Sequence, residues 1–266
     1  MITNKIPILG VLALNFCFYA PANAGTIVPC GKATCSSAFT IKADGKNIGG
    51  GEFLYDAKTG DIALSKEKII GSGVANDFGG ITWSLDNGEK VMVNSISGNA
   101  DPVLFFNLGA ETTSSASNYS FIFDLPIALS DPIETKSSVS YSLTSKTSAG
   151  AQIQGLGGNK VVQSWDIDTS VGGLGSLNKN VDVGDTHFHL GGPSTSSSPV
   201  YTDTDSIIGD LAYDQMGIEV SFNLSADSIV SMTGFVQQTP VPVPAAGWLM
   251  ITGIGFLTAR KKFSLV

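Results

Sequence analysis

The chain has 266 residues, with 15 basic against 23 acidic side chains, a net charge of −8, and a single arginine, Arg260. A chain this acidic and this short of arginine lacks the bidentate fork that grips phosphate and guanine, which excludes nucleic acid as a partner. It also has only two histidines and no Gly-x-Ser-x-Gly elbow, so a Ser-His-Asp triad has little support.

In chain order, Lys5 precedes an apolar run over 6–19, and Ala22-Asn23-Ala24 then matches an A-x-A cleavage site before Gly25. Residues 1–24 read as a secretory signal peptide. The alternative is an uncleaved N-terminal anchor. Cys17 belongs to this segment, which leaves Cys30 and Cys35 in Cys-Gly-Lys-Ala-Thr-Cys. In an oxidising compartment that spacing reads as a small disulfide loop. A metal pair would need further soft ligands, and a redox motif would need a two-residue spacing.

From 25 to 238 the pattern is β almost throughout. Alternation and turn signals predict strands over 37–42, 52–55, 61–65, 80–86, 89–97, 102–108, 117–126, 137–144, 160–168, 180–190, 206–213, 217–225 and 227–237, with 66–70 as a strand or one helical turn. Asn87-Gly88 marks a tight hairpin, with Ile81, Trp83 and Leu85 on one face opposite Val91 and Val93. Tyr119, Phe121, Phe123 and Leu125 line one face of the clearest core strand. Gly-, Ser- and Asn-rich turns fall at 155–159, 172–178 and 192–198. Many short strands at this spacing mean an all-β, antiparallel β-sandwich, jelly-roll-like, in one domain of roughly 215 residues. Two smaller sandwiches with a seam at 128–136 are the alternative.

Candidate chemistry is sparse. Asp185, His187 and His189 sit two apart, so on a strand they share a face and can converge on one metal. The competing reading is a polar, solvent-facing side, with Phe188 and Leu190 turned to the core. Oxygen-rich clusters at Asp44-Gly45-Lys46-Asn47, Asp86-Asn87-Gly88-Glu89, Asp182 with Asp185, and Asp203 with Asp205 suit calcium, or are plain turn chemistry. No other cofactor is expected. Trp83 and Trp165 are either core residues or platforms for sugars. Two carboxylates for glycoside hydrolysis are available among many, but nothing singles out a pair.

The tail is more specific. Pro240, Pro242 and Pro244 alternate with other residues and favour an extended spacer. Residues 245–259 carry no charge and give an apolar helix of about 22 Å, close to spanning once its flanks are added. Trp248 suits an interfacial anchor, and Arg260, Lys261 and Lys262 leave the C-terminus on the cytoplasmic side. A buried core helix with a basic end is the alternative. Pro242-Val243-Pro244, the helix and Arg260-Lys261-Lys262 together resemble the PEP-CTERM sorting signal of Gram-negative bacteria, with valine where the commonest pattern has glutamate. The resemblance covers 239–262. It implies transient anchoring in the inner membrane and removal of the tail by an exosortase, a membrane-embedded cysteine peptidase. Hosts of such systems typically make exopolysaccharide. Losing Lys5, Arg260, Lys261 and Lys262 leaves 11 basic against 23 acidic residues, or −12. The expected product is a non-catalytic binding or structural protein of the cell surface or extracellular matrix, associated with exopolysaccharide or biofilm. The alternative is an extracellular carbohydrate-active enzyme on the same scaffold.

Overall fold

A computed structural model of the chain describes residues 38–56, 59–77, 79–99, 102–130, 132–167, 178–207 and 212–241. The signal peptide with Ala22, Ala24 and Gly25, the pair Cys30 and Cys35, the motif Pro242-Val243-Pro244, the helix at 245–259 and Arg260-Lys261-Lys262 lie outside the described residues. Among the described residues no helix is long and apolar enough to cross a membrane.

The described residues form seventeen strands and one 3-10 turn at Leu156–Gly158. In chain order these are β1 (Ala38–Ala43), β2 (Lys46–Tyr55), β3 (Ile62–Gly71), β4 (Val74–Ala75), β5 (Ile81–Ser84), β6 (Lys90–Asn99), β7 (Val103–Glu111), β8 (Ser117–Ser130), β9 (Ile133–Ser145), β10 (Ala151–Gly155), β11 (Val162–Ile167), β12 (Asn178–Val183), β13 (His187–Leu190), β14 (Thr195–Ser197), β15 (Tyr201–Ile207), β16 (Ala212–Leu224) and β17 (Ser228–Pro240).

Every pairing is antiparallel, and the strands fall into two layers. One runs β4-β5-β6-β7-β17-β9, with β14 and β15 both on the far edge of β9. The other runs β3-β2-β1-β8-β16, and β16 then pairs with β10 and β11, which carry β13 and β12. Ile62↔Gly98 and Ala63↔Ser97 tie β3 to β6, so the layers are edges of one curled, sandwich-like sheet. The chain crosses between layers after β8, within the stretch 128–136, and one apolar core draws on residues from both sides of that crossing.

Alternation decides which side chains meet there. Tyr119, Phe121, Phe123 and Leu125 are fully buried, as their period of two predicts. Phe123 packs on Phe39 and Phe53 of its own layer and on Phe106 of the facing one, with ring centroids 6.3, 6.5 and 6.3 Å away.

Several boundaries differ from the sequence expectation. Ile81↔Val93 and Trp83↔Val91 pair as predicted. The turn, however, has three residues, Asp86, Asn87 and Gly88, closed by the Gly88 N–H donating to the Leu85 carbonyl at 3.0 Å. Only Gly88 takes positive φ, at 85°, the pattern of a type I turn with a following bulge. Residues 66–70 are strand, within β3. The predicted strand 180–190 breaks at Gly184 into β12 and β13. The 192–198 turn contains β14, and polar 201–205 is strand. Pro240, expected in the spacer, ends β17 opposite Ile133, a terminal position where its missing N–H breaks no ladder interior.

Candidate functional site

The outward face of β6, β7, β17 and β9 takes one residue in two from each strand, and register sets them in rows. In one row Ser97, Phe105, Phe235 and Ser138 lie side by side. Phe105 is 48% exposed, and its ring centroid is 5.8 Å from that of half-buried Phe235. The next row is Ser95, Asn107, Thr233 and Ser140, and then Met92, Gly109, Ser231 and Ser142 follow. Asn94 Nδ2 donates to Asn107 Oδ1 at 3.0 Å.

Charge is confined to the two ends of this face, and there it is paired. At one end Lys146 Nζ lies 2.6 Å and Lys90 Nζ 3.4 Å from the Glu111 carboxylate. The hydrogen bond from Lys146 holds the Glu111 carboxyl below its usual range, against some opposition from burial. At the other end Lys136 pairs with Glu134. The middle is an uncharged sheet, mostly of hydroxyls and amides, with two aromatic rings and the Met92 side chain. Such a surface offers apolar faces to sugar C–H groups and donors and acceptors to their hydroxyls.

The predicted metal cluster is only partly assembled. His187 and His189 are exposed on β13 opposite Gln154 and Gln152, while Phe188 and Leu190 are half-buried against the core. Phe188 meets Tyr141 edge to face, with centroids 5.6 Å apart. Asp185 precedes the strand. Its carboxylate accepts the His187 N–H at 3.2 Å and the Tyr201 hydroxyl at 3.3 Å, and its own N–H donates to Tyr141 Oη at 3.1 Å. It is spent on organising the turn. Among the described residues no three His, Cys, Asp or Glu side chains group to hold a metal.

The oxygen-rich loops are also largely occupied. Asp44 and Gly45, with φ of 48° and 75°, form the β1–β2 turn, and Asp44 Oδ1 accepts the Asn118 N–H at 2.9 Å. That turn and the one at Asp86 and Asn87 share a cleft of about 410 Å³, floored by Ile48 and the edge of Trp83. Asp182 takes the Lys160 N–H at 2.9 Å and Lys179 Nζ at 2.8 Å. Asp203 and Asp205 lie in β15. Glu89, expected on a surface turn, is fully buried.

Trp83 is a core residue, 1% exposed, its indole N–H donating to the Ile70 carbonyl at 3.1 Å. Trp165 is half-buried, in register with Gly217 and, beyond it, Asp124. Burial raises the Asp124 carboxyl above its ordinary range, opposed by a hydrogen bond with Gln215. A raised carboxyl binds its proton more tightly folded than unfolded, so its charge costs stability at neutral pH and the cost fades on acidification. Asp124→Asn is expected to stabilise at pH 7 by about 0.5 kcal/mol, discounted for a partly solvated group, and to gain nothing below about pH 4. Urea unfolding at the two pH values checks it.

No known family profile matches the sequence, and no curated protein matches it. Among solved structures, the enzymatically active domain of tailspike protein 4 of bacteriophage CBA120 is 12% identical with a TM-score of 0.27, over 81% of this chain and 21% of that one. The chain therefore spans about a fifth of that domain's length. A family 61 carbohydrate-binding module in complex with beta-1,4-galactotriose is 8% identical with a TM-score of 0.26, over 57% of this chain and 88% of the module. A family 29 carbohydrate-binding module is 8% identical with a TM-score of 0.16, over 76% and 90%. Similarities of this degree assign neither a family nor a ligand.

Proposed function

We propose that this chain is an exported, non-catalytic protein of the cell surface or extracellular matrix, with a jelly-roll-like sandwich that binds neutral polysaccharide. The outward face of β7, β17 and β9 is the binding surface. One observation carries this reading: the Phe105–Phe235 pair lies in a field of hydroxyls and amides whose ion pairs all stand at its ends. Two adjacent rings span successive sugar residues, and an uncharged middle suits a neutral chain. The ends of the polypeptide supply the route. Residues 1–24 direct export, the tail at 239–262 holds the protein briefly in the inner membrane, and an exosortase removes it.

Affinity electrophoresis of the native protein through gels of neutral glucan, galactan or anionic alginate tests the binding. Retardation by a neutral polymer is expected, and Phe105→Ala is expected to weaken it about tenfold, the scale of one lost aromatic contact. No retardation in any gel, or a Phe105→Ala protein that migrates as the parent, rejects the surface. Release of new reducing ends from the polymer makes the protein an enzyme instead. Mass spectrometry of the native protein tests the route: a chain ending before Ala245 supports processing, and an intact terminus through Arg260 to Val266 rejects it.

A further inference from the structure

Where β9 and β17 face β11 and β12, the interior of the sandwich turns polar. Thr135, Ser164, Asp166, Asn180 and Gln238 are each between 0% and 4% exposed. The Gln238 amide donates to the Asp166 carboxylate, a bond that crosses from one layer to the other. Thr135 is the register partner of Gln238. Ser164 shares the inward side of β11 with Asp166, two residues on. Asn180 enters through a bulge: β12 takes two steps, Lys179 to Val181, where β11 takes one, Trp165 to Ser164. The extra residue turns inward while Lys179 stays exposed. Val181 beside it is buried, yet stands outside the contiguous apolar core.

Thr135 Oγ1, Ser164 Oγ, Gln238 Oε1 and both polar atoms of Asn180 have no hydrogen-bond partner among the described residues. A buried group of this kind is destabilising when unpaired, and native interiors hold few of them. Gathered together, they call for a guest. The donor set selects its chemistry. Four residues bring neutral oxygens and one brings a carboxylate, with no ring nitrogen or thiolate, which is ligation for a hard cation and not for a transition metal. Register also places half-buried Asp203 and exposed Asp205 of β15 beside Ser137 and Thr135, at the edge of the layer. Their negative charge favours a cation over an anion.

We propose that this polar cluster is a calcium site that pins the two layers together. Its ligands are none of the acidic residues that the sequence offered for calcium, of which only Asp203 and Asp205 stand at its edge, and it does not depend on the glycan surface. One carboxylate among neutral oxygens gives the modest affinity of extracellular modules, with dissociation constants of about 10⁻⁴–10⁻³ M.

The test uses the full chain stripped with a calcium chelator, then returned to calcium, magnesium or sodium. Metal analysis after dialysis against calcium is expected to find one ion per chain. Calcium at about ten times its dissociation constant is expected to raise Tm by several degrees, and magnesium by less. Asn180→Asp adds a second carboxylate and is expected to tighten calcium about tenfold while lowering the Tm of the calcium-free protein. If calcium neither binds nor shifts Tm, and Asn180→Asp only destabilises, the cluster holds water alone and the proposal fails. It fails equally if a folded Asn180→Leu protein binds calcium as tightly as the parent, because the ion then lies elsewhere.

Discussion

Glu89→Ala is expected to lower stability by about 4 kcal/mol, a large share of what a domain has in reserve. Glu89 follows the β5–β6 turn and is fully buried. Its two carboxylate oxygens are used separately. Oε1 accepts the Ser117 hydroxyl at 2.6 Å, and Oε2 accepts the Tyr119 hydroxyl at 2.8 Å. Both donors sit on β8 in the opposite layer, so one side chain ties a hairpin to the central strand across the core. Burial, reinforced by this carboxylate, pushes the Tyr119 phenol far above its ordinary value and keeps it a donor. Alanine takes the carboxylate acceptor from two buried hydroxyls, each loss costing about 1–3 kcal/mol, and opens a void beside them. Glu89→Gln keeps one acceptor oxygen and is expected to cost less than half as much. Glu134→Ala, which removes an exposed ion pair, is expected to stay within about 1 kcal/mol. Urea unfolding of the three variants decides it, and a Glu89→Ala protein no weaker than Glu134→Ala would mean the carboxylate does not hold the hairpin.

Glu89 also shows where sequence reading ran out. Placed after Asp86, Asn87 and Gly88, it reads as one more oxygen of a surface loop. Its partners lie 28 and 30 residues further along the chain, and no local pattern announces them. The legible parts were those with a local cause. Residues 119–125 alternate because one side of β8 is core, and the valines of β6 meet Ile81 and Trp83 because the hairpin is short. Residues 201–205 carry threonine and aspartate, and only their contact with β9 makes them a strand.

The same divide runs through the candidate sites. The spacing of His187 and His189 puts both on the outward side of β13, but the break at Gly184 leaves Asp185 off that strand. Phe105 sat in an apolar run, Val103 to Phe106, where nothing marks one ring as facing out; its pairing with Phe235 is set by register between strands more than a hundred residues apart. Asn180 was one more residue in a presumed continuous strand, and the bulge that turns it inward follows from pairing with β11. Function-bearing geometry here is tertiary, while the alternation that gives the all-β fold class is local.

Gly49→Ala is the sharpest test of how the two layers close on each other. Gly49 is on β2, and the indole of Trp83 on β5 lies directly against its backbone. A Cβ added at Gly49 falls 2.1 Å from Trp83 Nε1 and 2.6 Å from Cδ1, far inside contact distance. The indole is packed on further sides as well: it meets Phe39 edge to face at 6.1 Å, and a Cβ at Gly73 would fall 2.6 Å from it. It also donates to the Ile70 carbonyl. One methyl must therefore push the ring out of its packing and off its acceptor. Overpacking of this kind costs roughly 1–3 kcal/mol and the lost hydrogen bond about 1 more, so a drop of about 3 kcal/mol is expected, near 10 °C in Tm for a domain this size. Trp83 fluorescence should shift to the red as the ring gains solvent. Gly191→Ala is the control, since an added Cβ there meets nothing within 4 Å. It is expected to stay within about 0.5 kcal/mol of the parent. Equal stability of the two variants would show that β2 and β5 do not approach as closely as the indole's position requires.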